Sequence, residues 1–207
     1  MLALREPEPS YEHVRNYCAE IREILSRLEY DRLDDLVQEV IAVKERQGRL
    51  FVLGSGGSAA NASHAVNDFR KLGGIEAYSP SDNVAELTAR INDNGWTHSY
   101  VDWLIISRMA PIDLMMILSV GGGSTKPAVS MNLVAAMKYA KAIKTPIISI
   151  VGRDGGQAAK LSKVCIIIPT ANEQRITPHV ESFQELFWHM IVTDPRVQHA
   201  IPHWESL

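Results

Sequence analysis

Leu50-Phe51-Val52-Leu53 runs straight into Gly54-Ser55-Gly56-Gly57-Ser58, with His64 and Asp68 soon after. The apolar run reads as a buried strand, since a strand covered on both faces shows no polar alternation. The Gly/Ser turn behind it can bring backbone N–H groups against an anion. Beyond the turn, Ala59 to Leu72 holds no proline and reads as a helix, on which His64 and Asp68 at i and i+4 share a face. A phosphate cradle close to an acid/base or metal-binding pair points to chemistry on a small phosphorylated molecule.

The same pattern recurs downstream. Leu114–Val120, Ile147–Val151 and Val164–Pro169 are further short apolar runs. Gly54–Ser58, Gly121–Ser124 and Gly152–Gly156 close three of the four, and each is expected to lead into a helix. Strand, glycine turn and helix in repetition predict a parallel α/β sheet, with the turns along one edge where ligands bind. Upstream, Tyr11 to Gln47 carries apolar stripes at helical spacing: Val14, Ile21, Ile24, Leu25 and Leu28, then Leu33, Leu36, Val37, Val40 and Val43. Two helices broken near Tyr30-Asp31 are expected, and their stripes must pack on something. A late helix is read from Val180 to Val192, stopped by Asp194-Pro195, and the tail with Pro202 and Trp204 shows no pattern.

Bulk properties narrow the classes. The 207 residues are 46% hydrophobic and 22% charged, as in a folded domain, and a net charge of −3 gives no basis for a nucleic-acid partner. No apolar run approaches the roughly 20 residues that a membrane span needs. The opening residues are too polar, and too soon interrupted by Pro7, to read as a signal peptide. Cys18 and Cys165 are far apart without a partner motif, so reduced thiols in a cytoplasmic protein are expected.

Gly54-x-Gly56-x-x-Ala59, with Glu76 beyond it, also fits the loose dinucleotide-binding pattern. That fingerprint usually opens its fold, whereas here a long helical segment precedes it. A dinucleotide site also has no need of the second Ser-bearing loop, Ser119 to Thr125. On the late helix stand Glu181, Glu185 and His189, the last beside Phe187, Trp188, Met190 and Ile191, so its face is expected to be buried. Two histidines and several carboxylates in one small core suit proton transfer at a sugar carbon, or a zinc-like ion. Glu181 and His189 are eight residues apart, about 12 Å along a helix, so their convergence on one ion demands long reach or two chains.

Taken together, Gly54-Ser55-Gly56-Gly57-Ser58, Asn92-Asp93-x-Gly95-Trp96, Leu118-Ser119 with Gly122 and Ser124, Gly152-Arg153-Asp154-Gly155-Gly156, and Glu181 with His189 resemble the sugar isomerase (SIS) domain family. Within that family the resemblance is to the phosphoheptose isomerases, which act on sedoheptulose 7-phosphate. It implies a three-layer α/β sandwich with a central parallel sheet, flavodoxin-like, at 49–207, preceded by helices at 1–48 used in packing and oligomerisation. Ser55, Gly56, Gly57, Ser58, Ser119, Gly121, Gly122 and Ser124 would hold the substrate, with Asp93 near the sugar hydroxyls and Glu181 also in contact. Asp68 and His189 would be the acid/base pair, and His64, Asp68, Glu181 and His189 the ligands of a possible Zn2+. The implied partners are a heptose 7-phosphate and further copies of the chain, in a homotetramer with active sites between subunits.

This chain departs from the family pattern by Asp68 in place of Glu, Glu181 in place of Gln, and the loss of two hydroxyls from the second loop. Phosphate would then rest more on backbone N–H groups, Ser119 and Ser124, with Thr125 or Lys126. A non-catalytic SIS protein that senses a sugar phosphate or binds a protein partner, and an isomerase of a five-carbon sugar phosphate, are the alternatives.

Overall fold

The computed structural model describes residues 10–199. Strands β1 (Leu50–Leu53), β2 (Ala77–Tyr78), β3 (Leu114–Ser119), β6 (Ile147–Val151) and β7 (Val164–Ile167) form one sheet in the order β2-β1-β3-β6-β7. Every pairing in it is parallel. Side chains alternate between its faces, as the strand period of two requires. Leu50, Val52, Leu114, Met116, Leu118, Ile148 and Ile150 pack on one side with α2 (Tyr30–Glu45), α3 (Gly57–Lys71) and α8 (Ile176–Thr193). Phe51, Leu53, Met115, Ile117, Ile147 and Val151 pack on the other with α5 (Ser99–Ile106), α6 (Met131–Ala142) and α7 (Gly156–Leu161). The result is a three-layer sandwich whose strands are almost wholly apolar because both faces are covered, with Ser119 and Ser149 the buried polar exceptions.

The expected break between the first helices falls just before Tyr30, α1 running Ser10–Ser26. The stripe Leu33, Leu36, Val37, Val40 and Val43 of α2 is buried in the same cluster as the sheet. At the front edge, the carboxylate of Asp113 accepts hydrogen bonds from Arg49 N (2.9 Å), Arg49 Nε (3.2 Å), Arg49 Nη2 (2.9 Å) and Ala110 N (2.8 Å). The Asp113 hydrogen bond holds the Arg49 guanidinium above its ordinary range. This clamp sits one residue before both β1 and β3, whose register pairs Leu50 with Leu114. It therefore aligns the two strands at their starts, and β3 runs two residues further than β1 before its glycine turn.

Strand order reverses at β1, with β2 on one side and β3, β6 and β7 on the other. Ligands of open α/β sheets bind at such a switch point, outside the carboxyl ends of the strands. One expectation needs correction here. The second glycine turn does not lead directly into a helix, because β4 (Ser124–Thr125) and β5 (Ala128–Val129) form an antiparallel hairpin before α6 begins. Too few apolar residues alternate there for the hairpin to show in the sequence. Helix α4 (Val84–Asn94) buries none of its residues. The tail with Pro202 and Trp204 lies outside the described residues. Among the described residues no helix is long and apolar enough to cross a membrane.

Candidate functional site

The turns after β1, β3 and β6 open onto a cavity of about 880 Å³, lined by Ser55, Ser58, Ser119, Gly121 and Ser124 among others. In the first turn Gly56 has φ 64°, a left-handed conformation that disfavours a Cβ. A Cβ at Gly54 would overlap the Ser58 carbonyl, so the chain can fold back into α3 only through glycine there. Helix α3 thus starts at Gly57, with its first N–H groups lacking intrahelical acceptors. Two residues that the sequence reading missed hold this turn. Tyr100 donates its hydroxyl to the Gly54 carbonyl (2.7 Å), and burial pushes its phenol up. Asn132 donates Nδ2 to Ser55 Oγ (3.1 Å). Ser58 Oγ and Asn132 Oδ1 are buried without a hydrogen-bond partner among the described residues.

The second turn is pinned by its neighbour. Ser119 Oγ accepts from Gly122 N (3.1 Å), while the carbonyls of Gly122 and Gly123 accept from Ala158 N (3.0 Å) and Gln157 N (2.9 Å) of α7. Gly122 and Gly123 have φ values of 68° and 77°, and a Cβ on Gly122 would overlap the Gly155 carbonyl. Glycines that look interchangeable in sequence therefore have distinct duties.

Helices α3 and α8 run side by side in the same direction, and their polar residues meet in succession. The Glu181 carboxylate stands against Gly57, about 2.5 Å from where a Cβ would lie. Asn61 Nδ2 donates to Glu181 O (2.9 Å) and Gln184 Oε1 (3.0 Å). His64 Nδ1 lies 3.8 Å from Glu185 Oε1. At the far end, Asp68 Oδ2 is 3.1 Å from His189 Nε2, 3.6 Å from His64 Nε2 and 3.2 Å from the indole Nε1 of Trp188, which donates to it. Asn67 Nδ2 donates to Asp68 Oδ1 (3.0 Å). Asp68 is buried at 8% exposure. The side chain of His189 is 42% exposed, contrary to the expectation that its face is buried. Its imidazole stands at the rim, where a ligand can reach it.

The structure therefore brings Asp68, His64 and His189 together and leaves Glu181 at the other end of the helix pair. The donor atoms that lie within 4.8 Å of one another are those of His64, Glu185 and His189. Two imidazoles and one carboxylate fit a zinc-like ion with an open coordination position. Asp93, at the end of α4, accepts from Asn92 Nδ2 (2.8 Å) and does not line the cavity. Neither do Asp68, His64, Glu185 or His189. Ser58 and Asp68 are ten residues apart on α3, roughly 15 Å along its axis.

The molecule is thus a parallel α/β sandwich with a Ser/Gly cradle at its switch point and an imidazole–carboxylate cluster on the flanking helices. Residues 16–152 match the family described as SIS domain, well over half of the chain, and the chain belongs to that family. It is 30% identical over 188 residues to the lincomycin biosynthesis protein LmbN of Streptomyces lincolnensis, covering 86% of this chain and 66% of that protein, slightly under two thirds of its length. It is 27% identical over 169 residues to the phosphoheptose isomerase of Helicobacter pylori, covering 78% of this chain and 81% of that one. The solved phosphoheptose isomerase GmhA of Neisseria gonorrhoeae shares the fold, with a TM-score of 0.74 at 23% identity over 88% of this chain and 94% of its own.

Proposed function

We propose that the chain is an aldose–ketose isomerase that converts sedoheptulose 7-phosphate to D-glycero-D-manno-heptose 7-phosphate. The observation that carries this reading is the 3.1 Å approach of Asp68 Oδ2 to His189 Nε2, on helices whose opposite ends frame the Ser/Gly cradle. The relatives named phosphoheptose isomerase support it. One member of the Asp68/His189 pair takes the proton from the carbon beside the carbonyl, giving an enediol, and the other relays protons on the oxygens. Trp188 and Asn67 fix the carboxylate for this work, since hydrogen bonds to a charged group contribute about 1.5–3 kcal/mol each. His64, Glu185 and His189 would hold a Zn2+ ion there, whose contribution when bound is polarisation of the sugar oxygens.

The separation of cradle and acid/base pair within one chain supports a homotetramer in which the cradle of one copy faces the pair of another. The test is to incubate the protein with sedoheptulose 7-phosphate, with and without zinc, and follow the aldose by NMR. Asp68→Asn and His189→Gln are each expected to lose about a hundredfold or more in turnover with the fold intact by circular dichroism. Full activity in either variant ends the proposal, and binding without turnover leaves the sugar-phosphate sensor in its place.

A further inference from the structure

The third glycine turn is absorbed by the sugar-phosphate reading only as a buttress, yet it places charge in the cavity. Arg153 has φ 52°, a left-handed conformation that L residues with long side chains rarely adopt. Its side chain lies over the second turn, with Cδ 3.6 Å from where a Gly121 Cβ would stand. Lys126, at the tip of the β4–β5 hairpin, and Lys160, on α7, line the same cavity. None of these three cations makes an ion pair among the described residues. Among the described residues the only carboxylate in the lining is Asp154, which accepts from Gly156 N (3.1 Å). Three cations against one carboxylate leave an excess of two positive charges. A phosphate monoester carries about −1.5 to −2 at pH 7. The cavity wall therefore matches one such group in charge, and the buried Ser58 hydroxyl, without a partner among the described residues, supplies a further hydrogen-bonding group at the lining.

We infer that Arg153, with Lys126 and Lys160, is the charge partner of the substrate phosphate, so that this chain reads the dianion by ion pairs from the third turn and the hairpin. This rests on the sugar-phosphate reading above and adds to it. Glycine at position 121 leaves the Arg153 side chain, with Cδ and Nε 3.6 and 4.0 Å from where a Cβ would lie, unobstructed over the second turn. A guanidinium also offers paired donors to phosphate oxygens, which a hydroxyl cannot.

Calorimetric titration with inorganic phosphate tests the assignment, at low and high salt. The variants are Arg153→Gln, the double variant Arg153→Gln/Lys126→Gln, and Lys138→Gln/Lys141→Gln on α6 as a remote control of equal charge change to the double variant. We expect Kd to rise about fivefold or more in the double variant, with a weaker salt dependence, and to stay within twofold in the control. No phosphate binding by the wild type, or a double variant within twofold of it, overturns the assignment. Unchanged melting temperatures of the variants establish that a lost affinity is not lost folding. Cation-dependent phosphate binding without turnover of sedoheptulose 7-phosphate would end the isomerase reading and leave this assignment standing. Turnover with an unchanged KM in the double variant would do the reverse.

Discussion

Glu181 and Glu185 lie one helical turn apart on α8, and that turn separates two jobs. Glu181 reaches back over Gly57 at the start of α3, whereas Glu185 stands with His64. In the sequence both were acids on the same helix near His189, and only the pairing of α8 with α3 tells them apart. The consequence is measurable by competition with a chromophoric chelator. Glu185→Gln should weaken zinc binding about tenfold or more, because it removes one member of the three-donor set. Glu181→Gln should leave zinc affinity unchanged. The opposite order would restore Glu181 as the ligand. Trp188 carries a similar lesson. It reads as core in sequence, and it is fully buried, yet its indole N–H is spent on Asp68. No residue pattern marks an aromatic ring as a hydrogen-bond donor to a carboxylate.

The longer strands were legible as elements because their runs are almost wholly apolar, with Ser149 the one polar residue inside them, and their glycine turns abrupt. Boundaries moved by a residue or two, β3 ending at Ser119 and β7 at Ile167. Two-residue strands such as β2 offer no run to read, and α4 has no buried stripe. Among the turns, Gly122 is the one whose replacement should be least tolerated. It combines φ 68° with the backbone of Gly155 and Gly156 where a Cβ would lie, so Gly122→Ala is expected to cost about 2 kcal/mol or more in denaturant titration and to abolish phosphate binding.

Helix α1 is tied down by a different device. Glu20 receives Arg175, Asn172 (2.8 Å) and His179 Nε2 (2.7 Å), with Tyr17 stacked on His179 at 4.5 Å and His13 Nδ1 3.1 Å from Arg175. Burial pushes the Glu20 carboxyl up, but these hydrogen bonds outweigh it and hold it down at about 2. Its contribution to stability is therefore present above the ordinary value of 4.5 and is lost as pH falls towards about 2. In melts between those limits, the stability gap between wild type and Glu20→Gln should narrow as pH drops. A constant gap would show that the carboxylate is not the element's acid-sensitive tether.

At the scale of the molecule, one chain presents a Ser/Gly cradle at the sheet edge and the Asp68–His189 pair lower on the same flank. If copies complete one another's sites, a mixture of Asp68→Asn chains with Arg153→Gln/Lys126→Gln chains should turn over limiting substrate faster than either variant alone. In a homotetramer assembled at random, about a quarter of the sites would be intact, since each draws its cradle and its Asp68–His189 pair from different copies. No such gain after unfolding and refolding the mixture would place the whole reaction within one chain. The sequence announced both halves of this arrangement but not their distance, because spacing along a helix fixes direction and not what lies across the groove. The second turn, clasped by α7 through the carbonyls of Gly122 and Gly123, has one more implication. Its shape is set when the protein folds, long before any ligand arrives. The ordering penalty that a floppy loop would exact at every encounter is thereby moved into folding, where it is met once per lifetime of the chain. Capture can then be quick, and product can leave without a loop having to melt.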